Sequence, residues 1–253
     1  MIQVQNVSKR YPLSRKQRQE LQTTANTVNA VQDVSFTCQP GRIFSLLGPN
    51  GAGKTTTLRM IATLLQPTDG TITVNGADVI QQSQQVRRNI GFLTGSTQLY
   101  ERLTPLETVQ YFANLYHLPA DVFKRRKDQL FEELGIGAFQ TKRIGQLSTG
   151  MKQKVSIART MIHDPQIVVF DEPTSGLDVI TSAAIINLIR SCKSAGKTVI
   201  FSSHIMSEVD LLCDELAIIN KGRLVYSDTM EGFRSFSSGR SLTETFIQVV
   251  QNS

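Results

Sequence analysis

The sequence predicts an α/β fold with an antiparallel β subdomain and an inserted helical subdomain, and three observations predict it. Short apolar runs alternate with stretches of helical periodicity. One such run, Ile43-Phe-Ser-Leu-Leu47, feeds directly into the glycine-rich Gly48-Pro49-Asn50-Gly51-Ala52-Gly53-Lys54-Thr55-Thr56. Two later runs, Gln166-Ile-Val-Val-Phe170 and Thr198-Val-Ile-Phe201, end in polar residues. Continuously apolar strands separated by helices are the pattern of a parallel sheet buried on both faces.

The elements follow in order. Met1-Ile-Gln-Val-Gln-Asn-Val7 alternates like a strand and continues to Tyr11. Residues 13–27 are polar with little apolar periodicity and read as a long exposed loop. Val28 to Cys38 largely alternates and closes on Pro40-Gly41, and Gly70-Thr-Ile-Thr-Val-Asn-Gly76 is a short run with turn residues at both ends. Together these predict the antiparallel sheet, flanking the glycine-rich turn. Thr57-Leu-Arg-Met-Ile-Ala-Thr-Leu-Leu65 has helical spacing. From Thr104 to about Leu134 the pattern is again helical, and its start is well marked: Thr104 suits an N-cap, Pro105 the first turn, and Glu107 completes a capping box. This segment, ending near Gly145, interrupts the strand–helix alternation and reads as an insertion. Leu242, Phe246, Ile247 and Val250 predict a small amphipathic C-terminal helix.

A chain of 253 residues can bury one large core, and its apolar fraction of 40% is that of an ordinary globular protein. No apolar run reaches the roughly 18 residues that span a bilayer. The start lacks the charged-then-apolar layout of a signal peptide, so a cytoplasmic location is expected. Cys38, Cys192 and Cys213 are scattered without C-x-x-C spacing and read as packing residues. The net charge of +6 is diffuse. Its basic clusters Lys9-Arg10, Arg15-Lys16-Gln-Arg18 and Lys124-Arg-Arg-Lys127 carry no interleaved aromatics for base stacking, so they read as solvated surface.

The chemistry concentrates at the strand ends. Glycine tolerates backbone angles that side chains forbid, so a glycine-rich turn between strand and helix lets successive N–H groups converge on an anion at the positive helix end. In the G-x-x-x-x-G-K-[ST] pattern, Lys54 neutralises the outer phosphates and the Thr55 hydroxyl ligates Mg²⁺. A bound nucleoside triphosphate is expected. The plainer reading, a mere tight turn, is weakened by the strand before it and the helix after it. Asp171-Glu172-Pro173 follows one later strand, which places Asp171 near the metal and makes Glu172 the candidate to orient or deprotonate the attacking water. Ser202-Ser203-His204 follows the other, where His204 can bond the terminal phosphate. Ligands of open α/β sheets bind beyond the carboxyl ends of strands, so these groups are expected to meet.

At Leu147-Ser148-Thr149-Gly150-Met151-Lys-Gln-Lys154, followed by the carboxylate strand and Ser175-Gly176-Leu177-Asp178, the chain resembles the nucleotide-binding subunit of an ABC transporter. The match runs over nearly the whole chain. It implies a P-loop NTPase with a RecA-like core, as a single domain over 1–253 with a helical subdomain at about 96–150 and a C-terminal tail at about 231–253. It also implies that Tyr11 stacks on adenine, that Asp178 is among the nucleotide-binding residues, and that Ser148 and Gly150 of one subunit close over ATP held by Gly48, Pro49, Asn50, Gly51, Ala52, Gly53, Lys54, Thr55 and Thr56 of another. Ser148 also stands before a helical pattern, where an ordinary N-cap would be placed. Because the chain carries both half-sites, a homodimer with two ATP molecules is feasible.

The resemblance further implies an ATPase with ATP and Mg²⁺ as cofactors, Lys54, Glu172 and His204 in catalysis, and Thr55 and Asp171 at the metal. The partner it implies is an integral membrane permease, which places the chain at the cytoplasmic face. The Phe92-Leu-Thr-Gly-Ser-Thr97 segment is similar to that of sodium-exporter-type ATPases, with drug or lipid exporters as the alternative. A soluble ATPase acting on nucleic acid or ribosomes is a rival, opposed by the lack of tandem domains or a long coiled coil; an ATP-binding regulatory subunit is another. Two departures stand out. Gly95 replaces the family's usual glutamine, so that Ser96, Thr97, Gln98 or water has to substitute, with Gln98 the favoured candidate, and Thr149 and Met151 replace glycine and glutamine in the signature.

Overall fold

The protein's structure is a computed structural model that describes residues 1–20, 22–94 and 99–253. In chain order the first half runs β1 (Ile2–Pro12), α1 (Arg15–Glu20), β2 (Thr27–Cys38), β3 (Ile43–Leu47), α2 (Lys54–Ile61), β4 (Asp69–Val74), β5 (Ala77–Asp78), α3 (Ser83–Asn89), β6 (Ile90–Thr94), α4 (Pro105–Leu115) and α5 (Ala120–Leu134). The second half runs α6 (Thr149–Met161), β7 (Ile167–Asp171), α7 (Val179–Ser194), β8 (Thr198–Ser203), α8 (Met206–Leu212), β9 (Glu215–Asn220), β10 (Arg223–Thr229), α9 (Met230–Ser237) and α10 (Leu242–Gln251). These elements form two compact units, one of Met1–Pro40, Phe44–Val86 and Ser202–Ser253, the other of Gly41–Ile43 and Arg87–Phe201.

In the first unit an antiparallel sheet has the order β2-β1-β4-β5, and Val4 pairs with Phe36 on one side and Ile72 on the other. The predicted antiparallel sheet is therefore present. Its alternation is interrupted at Asn6 and Asp33, both with φ near +50° (49° and 51°), where the Asn6 amide donates to the Asp33 carboxylate at 2.9 Å. Asn and Asp tolerate this left-handed backbone better than branched residues, so the strands bulge there and change the face they bury. Beside it, β9 pairs antiparallel with β10 and parallel with β3, and every residue of β3 is buried.

The segment 13–27 differs from expectation, because it contains the six-residue α1. Its cause is local: the Ser14 N–H donates to Gln17 Oε1 at 2.9 Å, while Ser14 Oγ accepts the Gln17 N–H at 3.3 Å, a reciprocal Ser-x-x-Gln cap. At the other end of the chain α10 forms as predicted, and the Asn220 side chain donates to the Val250 carbonyl at 3.0 Å.

In the second unit the strands run β8-β7-β6, with β6 and β7 parallel and in register from Ile90–Ile167 to Thr94–Asp171. Helix α6 lies close on β6, because a Cβ on Gly91 would stand 2.8 Å from the Thr160 carbonyl oxygen. The capping box at Thr104 and Glu107 is present. The predicted helical stretch divides into α4 and α5, however, since His117 has φ 54° and Pro119 lacks the N–H that would continue a helix. Val109 and Ala113 of α4, Leu130, Phe131 and Leu134 of α5, and Val155 and Ile157 of α6 are buried. No helix among the described residues is long and apolar enough to cross a membrane.

Candidate functional site

In the first unit the turn between β3 and α2 is held open by its neighbours. Gly48 has φ 154°, and a Cβ there would stand 2.2 Å from the Ile219 carbonyl oxygen of β9. Gly53 has φ 109°, and a Cβ there would stand 2.6 Å from the Ala30 carbonyl oxygen of β2. A side chain at either position meets backbone that cannot swing aside, so glycine is required. The Ala52 carbonyl accepts the Gly222 N–H at 2.9 Å, and the Gly222 carbonyl accepts the Gln32 N–H at 2.7 Å, so the β9–β10 turn joins the loop to β2. Sequence reasoning missed this turn, although Asn220-Lys221-Gly222-Arg223 between strand-like runs is a local hairpin signal.

Lys54 opens α2 and is only 4% exposed. Its ammonium donates to the carbonyl oxygens of Gly48 at 2.7 Å and Pro49 at 3.1 Å, which compensates a buried charge and bends the loop around it. Pro49, Thr55 and Thr56 are half-buried, Asn50 and Gly51 are exposed, and the Thr57 hydroxyl anchors the helix start on the Gly53 carbonyl at 3.0 Å. Tyr11, on β1 opposite Val28, is half-buried with the Lys9 ammonium 5.4 Å from its ring centroid. His204 is exposed between β8 and α8. The residue before it is pinned: the Ser203 hydroxyl donates to the buried Glu208 at 3.2 Å and accepts the Ile205 N–H at 3.0 Å.

In the second unit Asp171 ends β7 at 6% exposure, and the Thr94 hydroxyl donates to it at 3.5 Å. Glu172 is half-buried with φ 50°, a backbone that non-glycine residues adopt rarely and mostly where surroundings impose it. The turn after it is tied to α6 by the Gln153 amide, which donates to the Pro173 carbonyl at 2.8 Å. Neither Thr94 nor Gln153 was singled out as a site residue from sequence, since each acts across a strand or helix pairing. Ser148 is the N-cap of α6, accepting the Met151 N–H at 3.3 Å, and Asp178 is the N-cap of α7. The Thr181 N–H and hydroxyl hold the Asp178 carboxyl below the usual carboxylate range. Gly150 lies against this cap, for a Cβ on it would meet the Thr181 hydroxyl at 2.8 Å.

The predicted residues thus assemble in two groups, Tyr11, the 48–56 loop and His204 in the first unit, and Ser148, Gly150, Asp171, Glu172 and Asp178 in the second. Gly95 and its expected substitute Gln98 lie outside the described residues.

A buried strand, a glycine turn that only hydrogen-lined backbone can occupy, and a helix opening on lysine define a P-loop nucleoside triphosphatase. The ABC transporter family model matches residues 31–175. The chain is 44% identical over 227 residues to the ABC transporter ATP-binding protein NatA of Bacillus subtilis, covering 89% of this chain and 92% of that one. It is 31% identical over 244 residues to the linearmycin resistance ATP-binding protein LnrL of the same organism, covering 96% and 74%. Among solved structures, an ATP-binding subunit of an ABC transporter aligns with TM-score 0.85 at 29% identity, over 98% of this chain and 99% of that one. The dimeric bacterial ABC transporter cassette MJ0796 aligns with TM-score 0.79 at 25% identity, over 91% and 99%. The chain belongs to the ABC transporter family as an ATP-binding subunit, and is an ATPase of that family.

Proposed function

We propose that this chain is the ATP-hydrolysing subunit of an exporter, working as a head-to-tail homodimer beside a separate membrane permease. The observation that carries the reading is the preformed loop, whose glycines are fixed by β2 and β9 and whose Lys54 already bends it into a cradle. In this reading Lys54 and the 48–56 backbone bind the phosphates, and Tyr11 stacks on adenine. Thr55 and Asp171 offer the hard hydroxyl and carboxylate oxygens that suit Mg²⁺, which when bound draws charge from the phosphates. Glu172 orients the attacking water and takes its proton, and His204 bonds the terminal phosphate. Ser148, Gly150 and Asp178 of the second copy close the site, a use supported by the dimeric cassette that this chain resembles.

Sodium ion is the proposed cargo, on the likeness of the Phe92–Thr97 segment to sodium-exporter-type ATPases. The linearmycin-resistance relative favours a second reading, drug export. Purification with the permease followed by ion-stimulated and drug-stimulated ATPase assays separates the two. Glu172→Gln tests hydrolysis itself: ATP should remain trapped with turnover lost. Rapid turnover by that variant would remove Glu172 from its role, and salt-sensitive binding to DNA or RNA in place of permease association would point to a soluble ATPase.

A further inference from the structure

Asp178 and the Ser148–Gly150 turn meet at one side chain, that of Thr181. Its N–H donates to Asp178 Oδ1 at 2.9 Å, an ordinary cap bond that any residue at this position supplies. Its hydroxyl donates to the other oxygen, Asp178 Oδ2, at 2.8 Å. Both carboxylate oxygens are therefore held by one residue, and the carboxylate has no freedom to swing.

The burial pattern sets Thr181 apart from its neighbours. Val179 and Ile180 are 85% and 81% exposed, whereas Thr181 is 7% exposed. What covers it is the start of α6. A Cβ on Gly150 would stand 2.8 Å from Thr181 Oγ1, 3.3 Å from its Cγ2 and 3.4 Å from Asp178 Oδ2. The threonine side chain takes the place of the side chain that Gly150 lacks. A β-branched residue in a helix has few rotamers, so this wedge is stiff.

We infer that Thr181 is a positioning residue: it locks the Asp178 carboxylate to the Ser148–Gly150 turn, so that the two helix starts meet the ATP of a second copy as one rigid surface. The inference rests on the proposed closure of that surface over nucleotide. Thr181 itself touches no phosphate in this scheme, and acts through Asp178 and Gly150. A cap role alone would be carried by the N–H, which survives any substitution but proline.

The test compares Thr181→Val, which keeps the shape and the N–H but loses the hydroxyl, with Thr181→Ser, which keeps the hydroxyl. Each is placed in the full chain with Glu172→Gln, and Mg-ATP-dependent dimerisation is measured by sedimentation beside binding of fluorescent ATP to the monomer. Loss of a hydrogen bond to a charged group predicts a dimer weakened roughly tenfold to a hundredfold in Thr181→Val. Monomer ATP affinity should stay within about twofold of the parent, and Thr181→Ser should dimerise like the parent. Unchanged dimerisation of Thr181→Val overturns the inference and leaves the proposed function standing. So does an equal loss of monomer ATP binding and melting temperature in both variants, which marks a purely structural residue. Failure of Glu172→Gln to dimerise with Thr181 intact overturns the closure reading and this inference with it.

Discussion

The Lys54 ammonium donates to the Gly48 carbonyl oxygen at 2.7 Å, linking the first residue of α2 to the first residue of the loop. Lys54 therefore shapes the cradle as well as charging it. An arginine does not replace it, since a planar fork cannot occupy the place of a compact ammonium enclosed by its own loop. Lys54→Ala and Lys54→Arg should both lower ATP affinity at least about tenfold, a charge-assisted hydrogen bond being worth about 1.5–3 kcal/mol. Equilibrium binding of fluorescent ATP checks this, and wild-type affinity in Lys54→Arg would show that charge alone suffices.

The loop glycines differ in what surrounds them. Gly48 faces β9 backbone 2.2 Å from its would-be Cβ, whereas Gly51, with φ 80°, has nothing within 4 Å. Gly51→Ala should cost only left-handed strain, about 1–2 kcal/mol. Gly48→Ala must also displace β9, and should cost about 3 kcal/mol or more. Urea unfolding of the two variants measures the difference, and equal costs would show that the Ile219 contact yields freely.

The parts of this site that were readable in the sequence are those built from neighbouring residues. The glycine spacing around Lys54, the Thr104–Glu107 box and the Ser148 cap each depend on a few consecutive positions, and each is found where it was expected. What escaped depends on distant ones. The grip of Ile219 and Gly222 on the loop joins residues far apart in the chain, as does the wedge of Thr181 against Gly150. The alternation of β2 changes phase between Val31 and Val34 because the Asp33 bulge answers one at Asn6 on another strand. Helix α1 escaped for a different reason: it buries no residue, so it has no apolar period to read.

Glu208 holds the turn that carries His204, and does so through Ser203. Glu208→Leu leaves the Ser203 hydroxyl without this acceptor, which frees the backbone on either side of His204. Turnover should fall about tenfold or more while ATP affinity changes by less than about threefold, and Glu208→Gln, which retains an acceptor, should recover most of the loss. Steady-state ATPase rates beside ATP binding check it. A parallel fall in both quantities would mark a folding defect.

His163 makes the stability of the second unit depend on pH. Its ring is stacked on Tyr116 with centroids 3.8 Å apart and planes 4° from parallel, and its Nε2 lies 3.1 Å from the Ile90 carbonyl at the start of β6. Burial pushes the imidazole down to about 4, with the Ile90 carbonyl and Asp164 opposing and Arg126 and Lys197 reinforcing the shift. The folded value thus lies below the ordinary value of 6.5, and as the pH falls the unfolded chain takes up the proton first. Stability from this group is complete above pH 6.5 and is lost progressively down to about pH 4, by at most about 3 kcal/mol. Asp164, bridged to Arg126 at 2.6 Å and Lys197 at 2.5 Å, is held far below the ordinary carboxylate range, so its contribution is lost only at lower pH. The other two histidines, His117 and His204, are exposed. His163→Phe keeps an aromatic ring against Tyr116 and removes the titration. Urea unfolding from pH 7 to 4 should therefore show a stability slope in the wild type that is flattened in His163→Phe, and an identical slope in both would assign the acid sensitivity to other groups.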